Sequence, residues 1–469
     1  MGTTEEKQTM TESESTPFDS ELIFGLEDRP PVHIAFFAAM QHMLASIVGI
    51  VTPPIIISNA LGLDVSDASY IISMTLLISG IATFIQAKRM GPVGSGLLAM
   101  QGTSFAFLGP IIGAAIAIKN QADAHTALAV VFGCVMAGSF IEMFISRFLH
   151  LAQKIITPVV TGVVVTLIGL TLIKVGLVSM AGGFYVMNNV PEAFASLQNL
   201  GIAFLVLAII VALNMSRNQY LRMSSIVIGL AVGYVLAAAL GMVNFSKLSG
   251  MSLFTIPQPL KYGIDFSWGA FFAIGLVYVI TAVESIGDLT ATSMISKQPV
   301  KGELYMSRIK GGVLADGINS FIAGLFNTFP NTTFSQNNGV IQLTGVASRY
   351  VAYFIAGILI LMGLSPFLAG VFRIMPEPVL GGATILMFGT VAAAGVKILA
   401  TQKLDNRATL IIAVSLGLGL GVTMVPEVLK NFAPVEIRNV FASGITTGGL
   451  TAIILNLVLP HKKIQVIKH

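Results

Sequence analysis

Charge is what this 469-residue chain lacks. Only 10% of its residues are Asp, Glu, Lys or Arg, while 55% are hydrophobic and the mean hydropathy is +0.85. Soluble domains carry about 25% charged residues, so an ordinary soluble protein is excluded. Cysteine is nearly absent as well. The single Cys134 excludes an intramolecular disulfide framework and a cysteine-built metal site. The six histidines, at 33, 42, 125, 150, 461 and 469, include no metal-spaced pair within the apolar runs, so neither a metal nor any other cofactor is expected. Basic residues are few and scattered despite the net charge of +4, which argues against a nucleic-acid partner. No short apolar stretch follows a basic start, so no cleavable signal peptide is expected.

Long apolar runs are abundant. They cover about 33–51, 68–87, 101–118, 125–146, 156–176, 200–215, 224–242, 270–287, 312–326, 336–347, 350–372, 380–399, 408–423 and 440–459. A bilayer span needs about 20 residues, so the expected fold is an all-α membrane protein of fourteen transmembrane segments. The third and tenth are short and rich in Gly, Ser, Thr and Asn, and a plain hydropathy count could give twelve. With fourteen spans and a cytoplasmic N-terminus, the outer side keeps only Lys119, Lys174, Lys247, Lys261, Arg373, Lys430 and Arg438 of 26 basic residues. That asymmetry obeys the positive-inside rule and places both termini in the cytoplasm. Residues 1–30 are polar and acidic and read as a solvated tail, disordered as far as Thr16.

An internal repeat supports the count. Pro158-Val159-x-x-Gly162 with Gly169 recurs as Pro378-Val379-x-x-Gly382 with Gly389, in the fifth and twelfth spans. Spans seven apart run in opposite directions, so the chain reads as two inverted seven-span repeats. Short, Gly-interrupted spans at corresponding positions of two inverted halves point to a secondary transporter's binding site. In the tenth, Thr332 to Ser335 cannot face lipid unsatisfied; they predict a short extended segment before a half-helix beginning near Asn337. Gln101 to Phe107 in the third predicts a matching segment.

The run Gln336-Asn337-x-Gly339 with Thr344-Gly345 resembles the signature of the nucleobase–ascorbate transporter family. The stretch Gln336 to Arg349 is similar to the bacterial xanthine permeases of that family. So are Leu26 to Pro31, Gln41-His42, Glu284 to Asp288 and Gly311 to Gly317. A carboxylate at a helix centre costs about 2.5–3.5 kcal/mol to insert, so Glu284 inside an apolar run reads as functional. The resemblance implies that Glu284 accepts hydrogen bonds from purine ring N–H groups. Gln336 would pair its planar amide with the purine edge, and Ser335 and Phe105 would border the site, with the Phe105 ring stacked on the base. Asn337 is expected to cap the half-helix and shape the site. Asp288 shares the face of Glu284 one turn on, and two carboxylates so close are not expected to ionise together cheaply in low dielectric. Asp316 either carries a proton or ties the eighth, ninth and tenth spans together. His42 is expected to support site groups rather than touch substrate, and Ser104 to influence selectivity.

The resemblance further implies a core domain from spans one to four (31–150) and eight to eleven (266–373). It implies a gate domain from spans five to seven (151–265) and twelve to fourteen (374–460), with a short cytoplasmic tail at 461–469. The gate would form a homodimer contact and the core would slide against it as an elevator. The expected protein is not an enzyme but a proton-coupled symporter of a purine, xanthine first, in the cytoplasmic (inner) membrane, with proton, purine and lipid as partners. Urate or another nucleobase of the same family is the alternative. Ascorbate is disfavoured by Gln336. From other classes, a channel predicts rings of pore-lining charge or carbonyls rather than one asymmetric Glu–Gln pair. A membrane enzyme would need a nucleophile–base set or metal ligands.

Overall fold

The computed structural model describes residues 22–149, 157–249, 251–402, 404–431, 438 and 441–460. Most of the acidic tail, the segment 461–469, His150 and the basic residues Lys7, Lys154, Lys403, Lys462, Lys463 and Lys468 lie outside the described residues.

The chain is almost entirely helical. Helix α1 (Val32–Leu61) is followed by α2 (Val65–Lys88), strand β1 (Gln101–Thr103), a 3₁₀ turn over Phe105–Phe107, α3 (Leu108–Lys119) and α4 (Ala124–Arg147). Helices α5 (Pro158–Met180), α6 (Leu197–Asn214) and α7 (Ser225–Ala239) precede the long α8 (Trp268–Ile295) and α9 (Gly302–Leu325). Strand β2 (Asn331–Thr333) leads into α10 (Gln336–Thr344), and α11 (Tyr350–Gly363) bends by 82° into Pro366–Arg373. Finally come α12 (Glu377–Ala400), α13 (Asn406–Met424) and α14 (Gly444–Val458). Many starts carry their own signal. The side chains of Asp64, Asp123, Asp405 and Ser443 accept hydrogen bonds from first-turn N–H groups of α2, α4, α13 and α14. Pro158 opens α5, where its missing N–H removes nothing.

Each expected apolar segment overlaps one of these helices. Among the described residues, eight helices are long and apolar enough to cross a membrane, or nine if α11 and its bent continuation form one span. The exceptions are α3, α7, α10 and α14, which are short, and α9, which carries Glu303, Arg308, Lys310 and Asp316. Large apolar side chains such as Phe36, Phe37, Phe140, Phe144, Phe204 and Phe272 are exposed. Water would penalise such a surface, and lipid would not.

Helix contacts follow a two-fold pattern. Exchanging each helix for the one seven places along turns the α2–α11 contact into α9–α4, α1–α11 into α8–α4, α6–α12 into α13–α5, and α6–α7 into α13–α14. The α5–α12 contact maps onto itself and is made by small residues. A Cβ on Gly169 would meet the Ala392 backbone and one on Gly395 would meet Thr166, whereas Gly389 faces open space.

One expectation is corrected here. Residues 22–30 are not a solvated tail. Ile23 and Phe24 donate to the Gly345 carbonyl (2.8 and 3.1 Å), Ala347 and Arg349 donate to the carbonyls of Phe24 and Leu26 (2.9 and 3.1 Å), and Glu27 pairs with Arg349. Leu26 is buried. The arm is strapped to the chain leaving α10.

Candidate functional site

Strands β1 and β2 pair antiparallel, with Gln101 opposite Thr333, Gly102 opposite Thr332 and Thr103 opposite Asn331. The N–H groups of Ser104 and Phe334 extend the ladder to the carbonyls of Pro330 and Met100 (2.8 and 2.9 Å). β-Branched Thr103, Thr332 and Thr333 favour this extended backbone. The pairing satisfies polar groups that would otherwise be orphaned inside the protein. Helix α10 begins just beyond β2, and the Phe105–Phe107 turn leads from β1 into α3; the Leu108 N–H donates to the Phe105 carbonyl and the Asn338 N–H to the Ser335 carbonyl (3.0 Å). The expected extended segments thus lie at 101–103 and 331–333, and the half-helix starts at Gln336, one residue early.

Four carboxylates on α4, α8 and α9 neighbour one another electrostatically, and among the described residues Asp316 is the one held by donors. Asp316 of α9 is fully buried and accepts from Gln86 Nε2 of α2 (3.1 Å), Thr333 Oγ1 of β2 (3.1 Å) and Ser285 Oγ of α8. Gln101 Nε2 donates in turn to Thr333 Oγ1 (2.9 Å). Asp316 therefore ties α2, α8, α9 and β2 together. The Glu284 carboxylate on α8 makes no hydrogen bond within the described residues, and its Oε2 is buried. Asp288, one turn on, is half-buried and neighbours Glu284 and Asp316 electrostatically. Glu142 of α4 is the fourth, buried with both oxygens unpartnered. Among the described residues no ion pair joins any of the four to a cation.

Gln336 begins α10, half-buried, and its side-chain amide makes no hydrogen bond to another described residue; Ser335 before it is exposed. Asn337 does not cap the helix. It lies inside the first turn, fully buried, and its Nδ2 donates to the Leu98 carbonyl. The cap position belongs to Ser335, which has helical φ and ψ and makes no side-chain cap bond. His42 of α1 is buried beside Asn337 without hydrogen-bond geometry to it, and Ser104 is buried with its hydroxyl unpartnered among the described residues. Phe105 is half-buried, its ring edge-on to Phe388 of α12 at 5.3 Å between centroids. Helix α8 touches β2, the Phe105–Phe107 turn and α10, so Phe105 and Gln336 sit on elements that both contact the helix carrying Glu284.

Three groups at this site were not anticipated. Asn338 accepts from Thr292 Oγ1 (2.7 Å) and pins α10 to α8. Gln86 bridges Asp316 and the Ser95 N–H (3.0 Å). Glu142 carried a readable signal, a carboxylate inside an apolar run, identical to that of Glu284. A cavity of about 380 Å³ lies elsewhere, between small residues of α3 and α8 and Ala442–Ser443.

Residues 33–428 match a family model described as "Permease family" (Xan_ur_permease). Xanthine permease XanP of Escherichia coli K12 is 53% identical over 447 residues, 95% of this chain and 96% of that protein. Xanthine permease XanQ of the same organism is 46% identical over 94% of each chain. Uric acid permease PucJ of Bacillus subtilis is 38% identical over 90% of this chain and 92% of its own. Among solved structures, the transmembrane domain of the cyanobacterial bicarbonate transporter BicA superposes with a TM-score of 0.58 at 14% identity, covering 93% of this chain and all of that one. Murine Slc26a9 in its inward-facing state gives a TM-score of 0.61 at 12% identity, covering 92% of this chain and 69% of that one. At such identities these two speak to the fold alone.

Proposed function

The chain belongs to the nucleobase–ascorbate transporter family of permeases, and from that premise we propose that it carries a purine, xanthine first, across a membrane together with a proton. The observation that carries the reading is the contrast among polar groups around the ladder. Asp316 collects donors from Gln86, Thr333 and Ser285 and Gln101 Nε2 donates to Thr333, leaving Gln101 Oε1 unpartnered, while the side chains of Glu284 and Gln336 on adjoining elements make no hydrogen bond among the described residues. An ionised carboxylate offers only acceptors, and an amide offers both kinds. Together they suit a planar ring presenting N–H and C=O groups along its edges. Ser335 and Phe105 border that space. Asn337 and His42 support it from behind, and the free Ser104 hydroxyl bears on selectivity.

Fourteen spans in two inverted repeats, with both termini cytoplasmic and an inner-membrane location, are part of the proposal; the two-fold contact pattern supports it. So is the division into a core of α1–α4 with α8–α11 and a gate of α5–α7 with α12–α14. The core would slide as an elevator against a gate that also forms the homodimer contact. Xanthine is largely neutral near neutral pH, so a proton gradient drives its accumulation only if protons travel with it. Glu284, Asp288 and Asp316 are the groups proposed to hold that proton. Uric acid is the second reading, favoured by the similarity to a uric acid permease. The test is uptake of radiolabelled xanthine into proteoliposomes under an inward proton gradient, with unlabelled uric acid, hypoxanthine, guanine, uracil and ascorbate as competitors. Saturable uptake abolished by a protonophore is expected. Gradient-independent flux would overturn the coupling, and stronger competition by uric acid would replace the substrate.

A further inference from the structure

Glu142 has no part in the function proposed above, yet it is placed as a working group would be. It is 1% exposed, and neither carboxylate oxygen has a hydrogen-bond partner among the described residues. Helix α4 packs against α3, α8 and α9. From α9 it faces Asp316, and from α8 it faces Glu284, the Tyr278 phenol and the Thr281 hydroxyl. Tyr278 is already committed, its hydroxyl donating to the Val135 carbonyl (3.0 Å). The charge on α3, Lys119, sits at the far end of that helix and donates to the Leu61 carbonyl (2.6 Å). On α4 itself His125 lies more than four turns away, whereas Arg147 is five residues on, about one and a half turns, and among the described residues forms no ion pair with Glu142. Contact is close on both sides. A Cβ on Gly317 would stand 2.8 Å from Met143 Cγ, and one on Gly138 would stand 2.7 Å from the Tyr278 ring.

An ionised Glu142 would therefore be a buried anion whose nearest donor, the Thr281 hydroxyl, is turned to the Tyr278 carbonyl (3.3 Å), with no ion-paired cation among the described residues and two other carboxylates for neighbours. Burying an unpaired ion costs several kcal/mol. Binding a proton removes that charge and makes one oxygen a donor. Whether Glu142 keeps its proton depends on the charge carried by Glu284 and Asp316, which is what substrate loading and release would alter.

We propose that Glu142 is a proton-binding site of the transport cycle, electrostatically linked to Glu284 and Asp316. The inference rests on the proton-coupled reading and adds to it a group on a fourth helix. In the step itself, water on the side to which the site opens gives up one proton and an O–H bond forms at Glu142. That bond breaks on the opposite side, returning the proton to water, and no electrons change hands.

The experiment compares wild-type protein with Glu142→Gln in proteoliposomes, measuring xanthine counterflow, gradient-driven accumulation and the protons entering per xanthine. Counterflow needs no net proton movement, and the amide has the shape of the neutral acid, so counterflow is expected within about twofold of wild type. One coupled proton supports about tenfold accumulation per unit of pH gradient, and the variant is expected to lose that factor. Glu142→Gln vesicles with wild-type accumulation and the same protons per xanthine would overturn the inference. A wild type whose uptake ignores the gradient would instead sink the coupled reading and the inference with it. Should Glu142→Gln fail to fold, Glu142→Asp decides. It keeps an acid on a shorter stem, and its coupled uptake is expected with a displaced pH profile. A profile superimposable on wild type overturns the proposal.

Discussion

Replacing Gly102 by alanine tests how tightly the strand pair is built. Gly102 lies at the centre of β1, opposite Thr332. A Cβ there would stand 2.7 and 2.8 Å from Phe334 Cε1 and Cε2 and closer still to Cζ. The ring has no retreat toward α1, because a Cβ at Gly49 would already be 2.9 Å from its Cε2. Phe334 is 4% exposed, and its N–H is bonded to Met100 in the ladder. Either the ring leaves its pocket or β2 moves away from β1, taking Gln336 two residues later with it. Overpacking of this kind costs about 1–3 kcal/mol. If β2 yields, the same energy appears as roughly 5- to 150-fold weaker xanthine binding. Thermal unfolding in detergent and equilibrium binding of labelled xanthine measure the two terms separately. Phe334→Leu removes the Cε and Cζ atoms that collide, so the double variant should recover at least half of the loss, a coupling read from the double-mutant cycle. A Gly102→Ala protein as stable as the parent and with unchanged affinity would refute the reasoning.

Gln336→Glu should fold and insert normally but bind xanthine about 5- to 150-fold more weakly, because an acceptor replaces the amide donor and a buried unpaired group costs about 1–3 kcal/mol; unchanged affinity would remove Gln336 from the site. Asp316→Asn presents an amide N–H₂ to the donors of Gln86, Ser285 and Thr333, and should lower stability by about 1–3 kcal/mol in denaturant titration. Equal stability would mean the four elements are held some other way. Glu284→Gln keeps one acceptor but no exchangeable proton, so xanthine binding should outlast protonophore-sensitive accumulation; vesicles that still concentrate xanthine under a gradient would move the proton elsewhere.

How far the sequence speaks for itself differs between parts of the molecule. The helices and the two strands were legible because their causes are local: apolar runs of bilayer length, threonines between Pro330 and Gln336, carboxylates and hydroxyls at helix starts. Glu142 was legible on the same ground as Glu284, although no motif marks it. The anchoring of Asn337 to Leu98, of Asn338 to Thr292 and of Gln86 to Asp316 was not legible, since each joins residues far apart in sequence and no local pattern selects among the many polar partners available. The same holds for the arm at 22–28. Its acidic composition reads as solvated, but the backbone groups of Ile23 to Leu26 find partners at Gly345 to Arg349, more than 300 residues away.

The pairing of β1 with β2 also bears on how the chain is made. Gln101 and Thr333 are separated by 232 residues, and the main chain between Gln101 and Ser104 has its ladder partners only once that second segment exists. At roughly 5–20 residues per second, the ribosome needs about 10–50 s to supply it. During that interval the first half cannot sit in lipid as it sits in the finished molecule, because a lone strand leaves its polar main chain bare in hydrocarbon. The nascent segment around 101–107 must wait in a wet or proteinaceous shelter. A ribosome-stalled chain ending before residue 330 should therefore keep Ser104 reachable by a water-soluble thiol reagent when that residue is replaced by cysteine in a Cys134→Ser background, and should lose that reactivity once β2 has emerged.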